Sequence, residues 1–153
     1  LEKKQTISQS EIDKIVFSLP NLAHDDVPVG AIVVVGGEIL SARHNEREFL
    51  NDPSAHAEVL ALRDAAAVLG VSRLDDATLV STLEPCPMCA GAALNARVDR
   101  VIFGAEDPKS GALGSLYQLG SDPRLNHEFS VTGKVLQGEC GKVLSDFFNE
   151  KRK

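Results

Sequence analysis

The chain has 153 residues, 43% of them hydrophobic and 25% charged, which is ordinary for one globular domain with a full core. No apolar run approaches the ~18 residues of a membrane helix, and no signal-peptide core is present. We therefore expect a single domain over residues 1–153 that works in the cytoplasm without a membrane partner. A formal net charge of −6 argues against RNA binding by bulk electrostatics, so any RNA site must be a local feature.

The chain opens with a helical pattern followed by a hairpin. Apolar residues recur at three- and four-residue spacing over 8–22, which predicts an amphipathic helix. The β-branched run 29–35 then predicts a buried strand. Gly36 and Gly37 form a dipeptide of the kind that tight hairpin turns prefer, so a second strand is expected over 38–43.

The rest of the chain alternates between helix and strand. Asp52 is expected to cap a helix that ends at Gly70. Further strands are predicted over 77–83, 98–104 and 130–137, and further helices over 87–95 and 139–151. Because strands alternate with helices after an opening hairpin, we predict a layered α/β domain with a mixed sheet.

Three side chains of the types that bind zinc lie in two short motifs. His56 belongs to His-Ala-Glu, and Cys86 and Cys89 belong to Pro-Cys-Pro-Met-Cys. Nitrogen and sulfur ligands suit zinc, and three protein ligands leave a fourth position open for water, as in a catalytic site. Both motifs lie at predicted helix starts, whose positive ends stabilise thiolates and a bound hydroxide. We therefore predict one catalytic Zn²⁺ per subunit.

Glu58 follows His56 by two residues and is predicted to be the catalytic proton carrier. Its carboxylate can reach a zinc-bound water without being a ligand, take its proton and pass it to the substrate and the leaving amine. Zinc lowers the pKa of its water to about 7, so that the zinc-bound hydroxide is the nucleophile. The combination predicts hydrolytic deamination, in which hydroxide adds to an amidine-like ring carbon and ammonia leaves.

Each motif also has a simpler interpretation. A lone Cys-x-x-Cys can be half of a structural zinc site or a redox pair, and His56 alone can be a core or helix-cap histidine. A structural site needs a fourth ligand, and the spare cysteine, Cys140, is expected in the core as part of the last helix. A thioredoxin-type arrangement is unsuitable because its Cys-x-x-Cys follows the first strand of a βαβ unit. Lys109-Ser110 resembles the end of a phosphate loop, but Pro108 replaces the required glycine.

The pairing of His-x-Glu with Pro-Cys-x-x-Cys is the general pattern of the cytidine deaminase superfamily. Within that superfamily, the chain resembles the bacterial tRNA-specific adenosine deaminases over nearly all of residues 27–153. The stretches that carry the resemblance are 52–58, 82–91, 103–105, 107–115, 126–127 and 144–148. The loop 107–115 and the Phe147-Phe148 pair are its discriminating parts, because a generic nucleobase deaminase needs only the zinc motifs.

The resemblance implies a fold and an activity. The fold is a cytidine deaminase-like three-layer α/β/α sandwich with a five-stranded mixed sheet. The activity is hydrolysis of adenosine to inosine at the wobble position of a tRNA anticodon stem-loop, by a homodimer. His56, Cys86 and Cys89 would bind zinc, and Glu58 would be the proton shuttle.

The resemblance also implies a set of substrate-binding residues. They are Asn45, Ala57, Glu84, Pro85, Asp107, Lys109 and Phe148. Asn45 would hold the flipped base, the backbone of the next three would frame the pocket, and Asp107 and Lys109 would contact the anticodon. The helix of Phe147 and Phe148, with the basic tail 151–153, would border the RNA groove. Without the resemblance, Asn45 is a turn residue, Asp107 caps local structure, and one phenylalanine lies in the core.

Two features depart from the family, and two alternative functions remain open. Residues 1–26 contain a Ser-Leu-Pro-Asn break in a divergent N-terminal helix region, and Glu106 makes the RNA-facing loop more acidic. A free nucleobase or nucleoside deaminase acting on guanine or cytosine would have the same metal motifs without needing the loop 107–115. A non-catalytic zinc-containing RNA-binding subunit would have no need of Glu58.

Overall fold

The computed structural model describes residues 26–152, and the helix predicted over 8–22 lies outside them. A five-stranded sheet runs through the described chain. Its strands are β1 (Gly30–Val35), β2 (Glu38–His44), β3 (Thr78–Leu83), β4 (Arg100–Ala105) and β5 (Ser130–Thr132). Each strand lies inside its predicted run or extends it by one residue. The single domain over residues 1–153 stays a prediction, because it includes the undescribed N-terminal residues.

The sheet is mixed and has the strand order β2-β1-β3-β4-β5. β1 pairs antiparallel with β2 and with β3, whereas β4 is parallel to both β3 and β5. Gly36 and Gly37 have φ values of 60° and 80°, the backbone that a tight two-residue hairpin turn requires, so the predicted turn is confirmed. This order brings the C-terminal ends of β2, β3 and β4 to one edge of the sheet.

Three α-helices cover the two faces of this sheet. They are α1 (Ala57–Leu69), α2 (Pro87–Ala96) and α3 (Gln137–Lys151), and a short 3₁₀ helix spans Leu119–Ser121. α1 packs on β1, β2 and β3 and also contacts α2, whereas α3 packs on β3 and β4. Within residues 26–152, no helix is both long and apolar enough to cross a membrane.

Side-chain alternation along β4 separates the two faces. Val101 and Phe103 belong to the larger core together with residues of α1 and α2, and Ile102 belongs to a smaller core. Gly104 is two residues after Ile102 and therefore lies on the same face of the sheet, where it contacts Cys140 of α3. α3 therefore lies on the face opposite α1 and α2, and the predicted three-layer sandwich with a five-stranded mixed sheet is confirmed. Cys140 is buried, as its predicted core position requires.

The helix α1 begins later than the sequence predicts. Asp52 does not cap it, because Asp52 Oδ1 accepts hydrogen bonds from the backbone nitrogen and the Oγ of Ser54 at 2.9 and 2.7 Å. The chain turns there and enters the helix at Ala57, with His56 extended at the cap position. The imidazole of His56 makes no capping hydrogen bond and so remains available to the site described below.

The last strand is shorter than the predicted run 130–137. Lys134 and Leu136 have φ values of 63° and 51°, which lie outside the β region. The chain therefore leaves the sheet after Thr132, and α3 begins at Gln137.

Gly104 sits where α3 crosses β4, and its lack of a side chain permits that contact. A Cβ there would lie 2.3 Å from Cys140 Sγ and 2.8 Å from the Thr82 carbonyl oxygen. We expect Gly104→Ala to lower the free energy of unfolding by about 1–3 kcal/mol, measured by urea denaturation. The control Gly141→Ala, at a helical position with nothing within 4 Å, should instead raise it by about 0.5–1 kcal/mol. Equal stabilities for the two variants would contradict this packing.

Candidate active site

The candidate site lies at the sheet edge where β2, β3 and β4 end. Asn45 follows β2, Glu84 follows β3, and the loop 106–118 follows β4, while His56 stands just before α1. Backbone hydrogen bonds join these segments, including Glu84 N to Ala105 O at 2.8 Å and Ala112 N to Pro85 O at 2.9 Å. Crevices at the C-terminal ends of parallel strands are the usual position of ligand sites in α/β folds.

The three predicted metal ligands lie together at this edge. The donor atoms of His56, Cys86 and Cys89 are all within 4.8 Å of one another. His56 Nδ1 lies 3.6 Å from Cys86 Sγ and 3.4 Å from Cys89 Sγ, so this ring nitrogen faces both thiols. Cys86 occupies the cap position of α2 with Pro87 following it, and Cys89 lies in the first turn. One imidazole nitrogen and two sulfurs form a donor set that fits a zinc ion.

The thiols of Cys86 and Cys89 are hydrogen-bonded to each other, and each shifts the pKa of the other. A hydrogen bond from Cys89, opposed by burial and assisted by His56, lowers the pKa of Cys86 to about 4. The same hydrogen bond, together with burial, raises the pKa of Cys89. The Cys86 thiolate in turn raises the pKa of His56. This group therefore already carries a thiolate directed at the imidazole.

Glu58 lies in the first turn of α1, directly beside the donor set. Its side chain is 4% exposed, and it is hydrogen-bonded to the Cys89 thiol. Burial raises the pKa of its carboxyl. A buried carboxylate in contact with one metal ligand can accept a proton from a molecule held at the same place. Ala57, between Glu58 and His56, is completely buried.

Glu84 has a side-chain role that the sequence does not suggest. Its carboxylate is 2% exposed and accepts hydrogen bonds from the backbone nitrogens of Asp107, Leu113 and Ser115, each at 3.0 Å. The hydroxyl of Ser115 donates a fourth. Burial acts to raise the pKa of Glu84, but these hydrogen bonds outweigh it and lower the pKa overall. The neighbouring Pro85 is fully buried.

The loop 107–115 contains the two predicted anticodon contacts. Asp107 Oδ1 accepts hydrogen bonds from the backbone nitrogens of Lys109 and Ser110 at 3.0 and 3.2 Å, and its Oδ2 accepts one from Ser110 Oγ at 2.7 Å. The carboxylate therefore closes a turn within its own loop, while Lys109 is exposed. Contact of either residue with RNA stays a prediction.

Asn45 and Phe148 meet in a groove of about 380 Å³ beside the site. Asn45 Nδ2 donates to the Val27 carbonyl at 3.2 Å, and its Oδ1 accepts from the Arg47 backbone nitrogen at 3.1 Å. The groove is lined by Asp26, Val27, Asn45, Arg47, Glu48, Phe147, Phe148 and Lys151. Its lining thus excludes the metal ligands and the loop 107–115.

The two phenylalanines of α3 both line this groove. Their rings are 5.3 Å apart in an edge-to-face arrangement, and Lys151 Nζ lies 5.7 Å from the centre of the Phe147 ring. The prediction that one of them lies in the core is wrong, because Phe147 is half-buried and Phe148 is 45% exposed. Within the described part of α3, Cys140 near its start is the buried residue, whereas Phe147, Phe148 and Lys151 near its end line the groove.

The sequence does not indicate a further buried carboxylate, Asp26, which also lines the groove. Asp26 is 1% exposed and accepts hydrogen bonds from the backbone nitrogens of Glu48 at 2.6 Å and Phe49 at 3.0 Å. It therefore fixes the loop that follows Asn45. The only signal was an acidic residue just before an apolar strand, and it does not indicate a partner 22 positions away.

The chain is similar to known deaminases over most of its length. The MafB19-like deaminase family model matches residues 7–152. A tRNA-specific adenosine deaminase of Bacillus subtilis is 51% identical over 128 residues, which cover 84% of this chain and 80% of the relative. The chain therefore belongs to the tRNA-specific adenosine deaminase family, within the MafB19-like deaminases.

Two solved deaminase structures are similar to this chain in fold. One comes from a study of A-to-I editing by tRNA:A34 deaminases at the wobble position of transfer RNA. It is 41% identical, with a TM-score of 0.76, over 78% of this chain and 87% of that chain. A guanine deaminase of Bacillus subtilis is 48% identical, with a TM-score of 0.51, but over only 52% of this chain and 50% of that chain. The tRNA:A34 deaminase structure therefore matches more of this chain than this particular guanine deaminase structure does.

Proposed function

We propose that the protein hydrolyses adenosine to inosine at the wobble position of tRNA anticodons and binds one Zn²⁺ per subunit. The observation that carries this proposal is the cluster of His56, Cys86 and Cys89 with the buried Glu58 in contact with it. A structural zinc site would have no use for that carboxylate. The names of the relatives supply the RNA substrate.

The three ligand side chains suit zinc and leave one coordination position for a water or substrate. The described chain offers three ligand side chains in this cluster, which corresponds to a catalytic site with one open position. When bound, zinc would supply an activated water as nucleophile. The two thiols and the imidazole are held at the starts of α2 and α1, whose positive ends favour negative charge between them.

Glu58 is assigned the proton transfers of the reaction. The nucleophilic water must lose a proton as its oxygen bonds to C6 of adenine, and the amino group must gain one before it leaves as ammonia. The carboxylate of Glu58 is in contact with the ligand set. It can therefore accept the proton that the water loses and deliver a proton to the departing amino group. Its burial keeps this exchange out of bulk water.

The anticodon is assigned to the surface formed by the groove and the loop 107–115. RNA bases that are splayed from a loop stack on aromatic side chains, and Phe148 presents such a ring. Asn45 has its amide at the same groove, and Lys109 is exposed on the loop 107–115, which lies at the same edge of the sheet. Recognition by shape and stacking needs no positive net charge, so the value of −6 is compatible with it.

The proposal is tested with an anticodon stem-loop RNA that has adenosine at the wobble position. We expect inosine at that position after incubation, detected by sequencing, with release of ammonia. The same RNA with adenosine moved one position away should react far more slowly, as should free adenosine, guanine and cytosine. Reaction of a free base alone would replace the tRNA assignment by a nucleobase deaminase, and RNA binding without ammonia release would favour a non-catalytic subunit.

A homodimer in the cytoplasm completes the proposal. Met88, Gly91 and Asn95 lie on one stripe of α2 whose ends, Met88 and Asn95, are exposed, and a Cβ at the half-buried Gly91 would meet nothing within 4 Å. This stripe is the assigned contact with a second copy. We expect sedimentation to give two chains for the wild type and one for Gly91→Arg. Gly138→Arg, at an open position of α3, should remain dimeric; a dimeric Gly91→Arg would rule out this face.

A further inference from the structure

Glu84 is a buried charged group to which the proposed chemistry assigns no side-chain function. It lies between the end of β3 and the ligand Cys86, yet its carboxylate points to the loop that follows β4. Both oxygens are used: Oε1 accepts from Asp107 N and Ser115 Oγ, and Oε2 accepts from Leu113 N and Ser115 N. All four partners are donors, and they come from both ends of the loop 107–115.

The loop is shaped around this carboxylate. A Cβ on Gly111 would lie 2.3 Å from Glu84 Cδ and 2.4 and 2.5 Å from its two oxygens, so the loop backbone passes directly over the group. The adjoining carbonyl of Pro85 accepts a hydrogen bond from Ala112 N at 2.9 Å. The segment that carries Cys86 and the loop that carries Asp107 and Lys109 are thus fixed to each other through Glu84 and Pro85.

A carboxylate is the side chain that this arrangement requires. Four donors converge on it, and an ionised carboxylate has only acceptor sites. A glutamine would turn an NH₂ group towards one pair of these donors, and at least one backbone N–H would then lose its acceptor, because only the Ser115 hydroxyl can rotate and accept. The loop would then have to move in order to recover its hydrogen bonds.

We propose that Glu84 is a positioning residue, which holds the loop 107–115 in the conformation that receives the RNA substrate. It does not touch the reacting atoms; it sets the distance between the loop and the metal ligands. This inference rests on the proposed tRNA substrate. Misplacement of a substrate-binding segment by about 1 Å can reduce catalysis by about a hundredfold, so the effect should be large.

The test compares Glu84→Gln with the wild type on the anticodon stem-loop RNA. We expect KM to rise by between about tenfold and a hundredfold while kcat falls much less, because substrate binding and not the chemical step is lost. Zinc content per chain should stay at the wild-type value. Hydrogen exchange at the backbone amides of Leu113 and Ser115 should become faster, which reports the freed loop directly.

Two variants on the loop side separate positioning from a general effect on folding. Ser115→Ala removes one of the four donors and should raise KM by a smaller factor, and Gly111→Ala presses a methyl group onto the carboxylate and should raise it more. Glu38→Gln is the matched control, because Glu38 pairs with Val35 at the opposite end of the sheet and is exposed. Its KM should equal that of the wild type.

The outcomes distinguish this inference from the proposed function. If the wild type does not deaminate the stem-loop, the proposed function fails and the inference fails with it. If the wild type is active and all three variants retain its KM, the function stands and the positioning role is overturned. If Glu84→Gln loses zinc while both loop variants behave as the wild type, Glu84 supports only the ligand segment, and the inference is again overturned.

Discussion

Replacement of Glu58 by glutamine is expected to leave one zinc ion per chain and to lower the deamination rate by a factor of about 10²–10⁴. Glutamine keeps the shape of the side chain in its buried position, 4% exposed in the native protein. It cannot accept a proton from the attacking water, and this loss acts on the chemical step. kcat should therefore fall while KM for the stem-loop RNA changes little.

The measurement is a single-turnover assay on the anticodon stem-loop, with metal content determined on the same preparation. Glu38→Gln is the control, because its carboxylate is exposed and lies at the other end of the sheet. Loss of zinc from Glu58→Gln would mean that Glu58 supports the ligands and is not primarily a proton carrier. A rate equal to that of the wild type would remove Glu58 from the mechanism.

The grouping of His56, Cys86 and Cys89 with Glu58 could be predicted from sequence because these residues belong to two short motifs. His56 and Glu58 are separated by one residue, and Cys86 and Cys89 by two, so local geometry brings each pair near one place. The strands could also be predicted from sequence, because β1 and β4 are largely apolar and β3 is rich in β-branched residues, and all three are buried almost throughout. The sequence motifs do not show that the two pairs lie close together in space. The strand order brings them together, because the ends of β2, β3 and β4 lie at one edge of the sheet.

The supporting contacts could not be predicted, because they join residues that are distant in sequence. Glu84 accepts hydrogen bonds from residues 23 to 31 positions further on, and no local pattern predicts such partners. Asp26 fixes its loop over a similar separation. The predicted helix cap at Asp52 is wrong for a related reason. Asp52 is a residue type that often caps helices, but here its side-chain oxygen accepts hydrogen bonds from Ser54 instead.

The ligand set and Glu58 do not by themselves distinguish a tRNA from a free base. The ligand set and Glu58 suit deamination of any amidine-like ring, including that of a free base. Under the proposed function, the surface that would distinguish a tRNA from a free base is the groove with Phe148 together with the loop 107–115, which lie outside the ligand set. Buried carboxylates fix the loops on both sides of it, Asp26 on one and Glu84 on the other.

Substitution of Cys89 by alanine is expected to abolish zinc binding and, with it, the deaminase activity. Cys89 is completely buried, and its sulfur lies 3.4 Å from His56 Nδ1. Only one thiol and one imidazole would remain in this cluster, too few for a stable zinc site. Because zinc lowers the pKa of its bound water from about 15.7 to about 7, its loss should reduce the rate by at least about a thousandfold.

The chain provides its own control in Cys140. This thiol is also buried, but it belongs to α3 and packs against Gly104 on the opposite face of the sheet. Cys140→Ala should keep one zinc per chain and near-normal activity, and it should lose about 1 kcal/mol of stability from the small cavity. Metal analysis after dialysis and thermal melting with and without a chelator distinguish the two variants. If Cys89→Ala retains zinc, or if Cys140→Ala loses it, the metal centre is not the one formed by His56, Cys86 and Cys89.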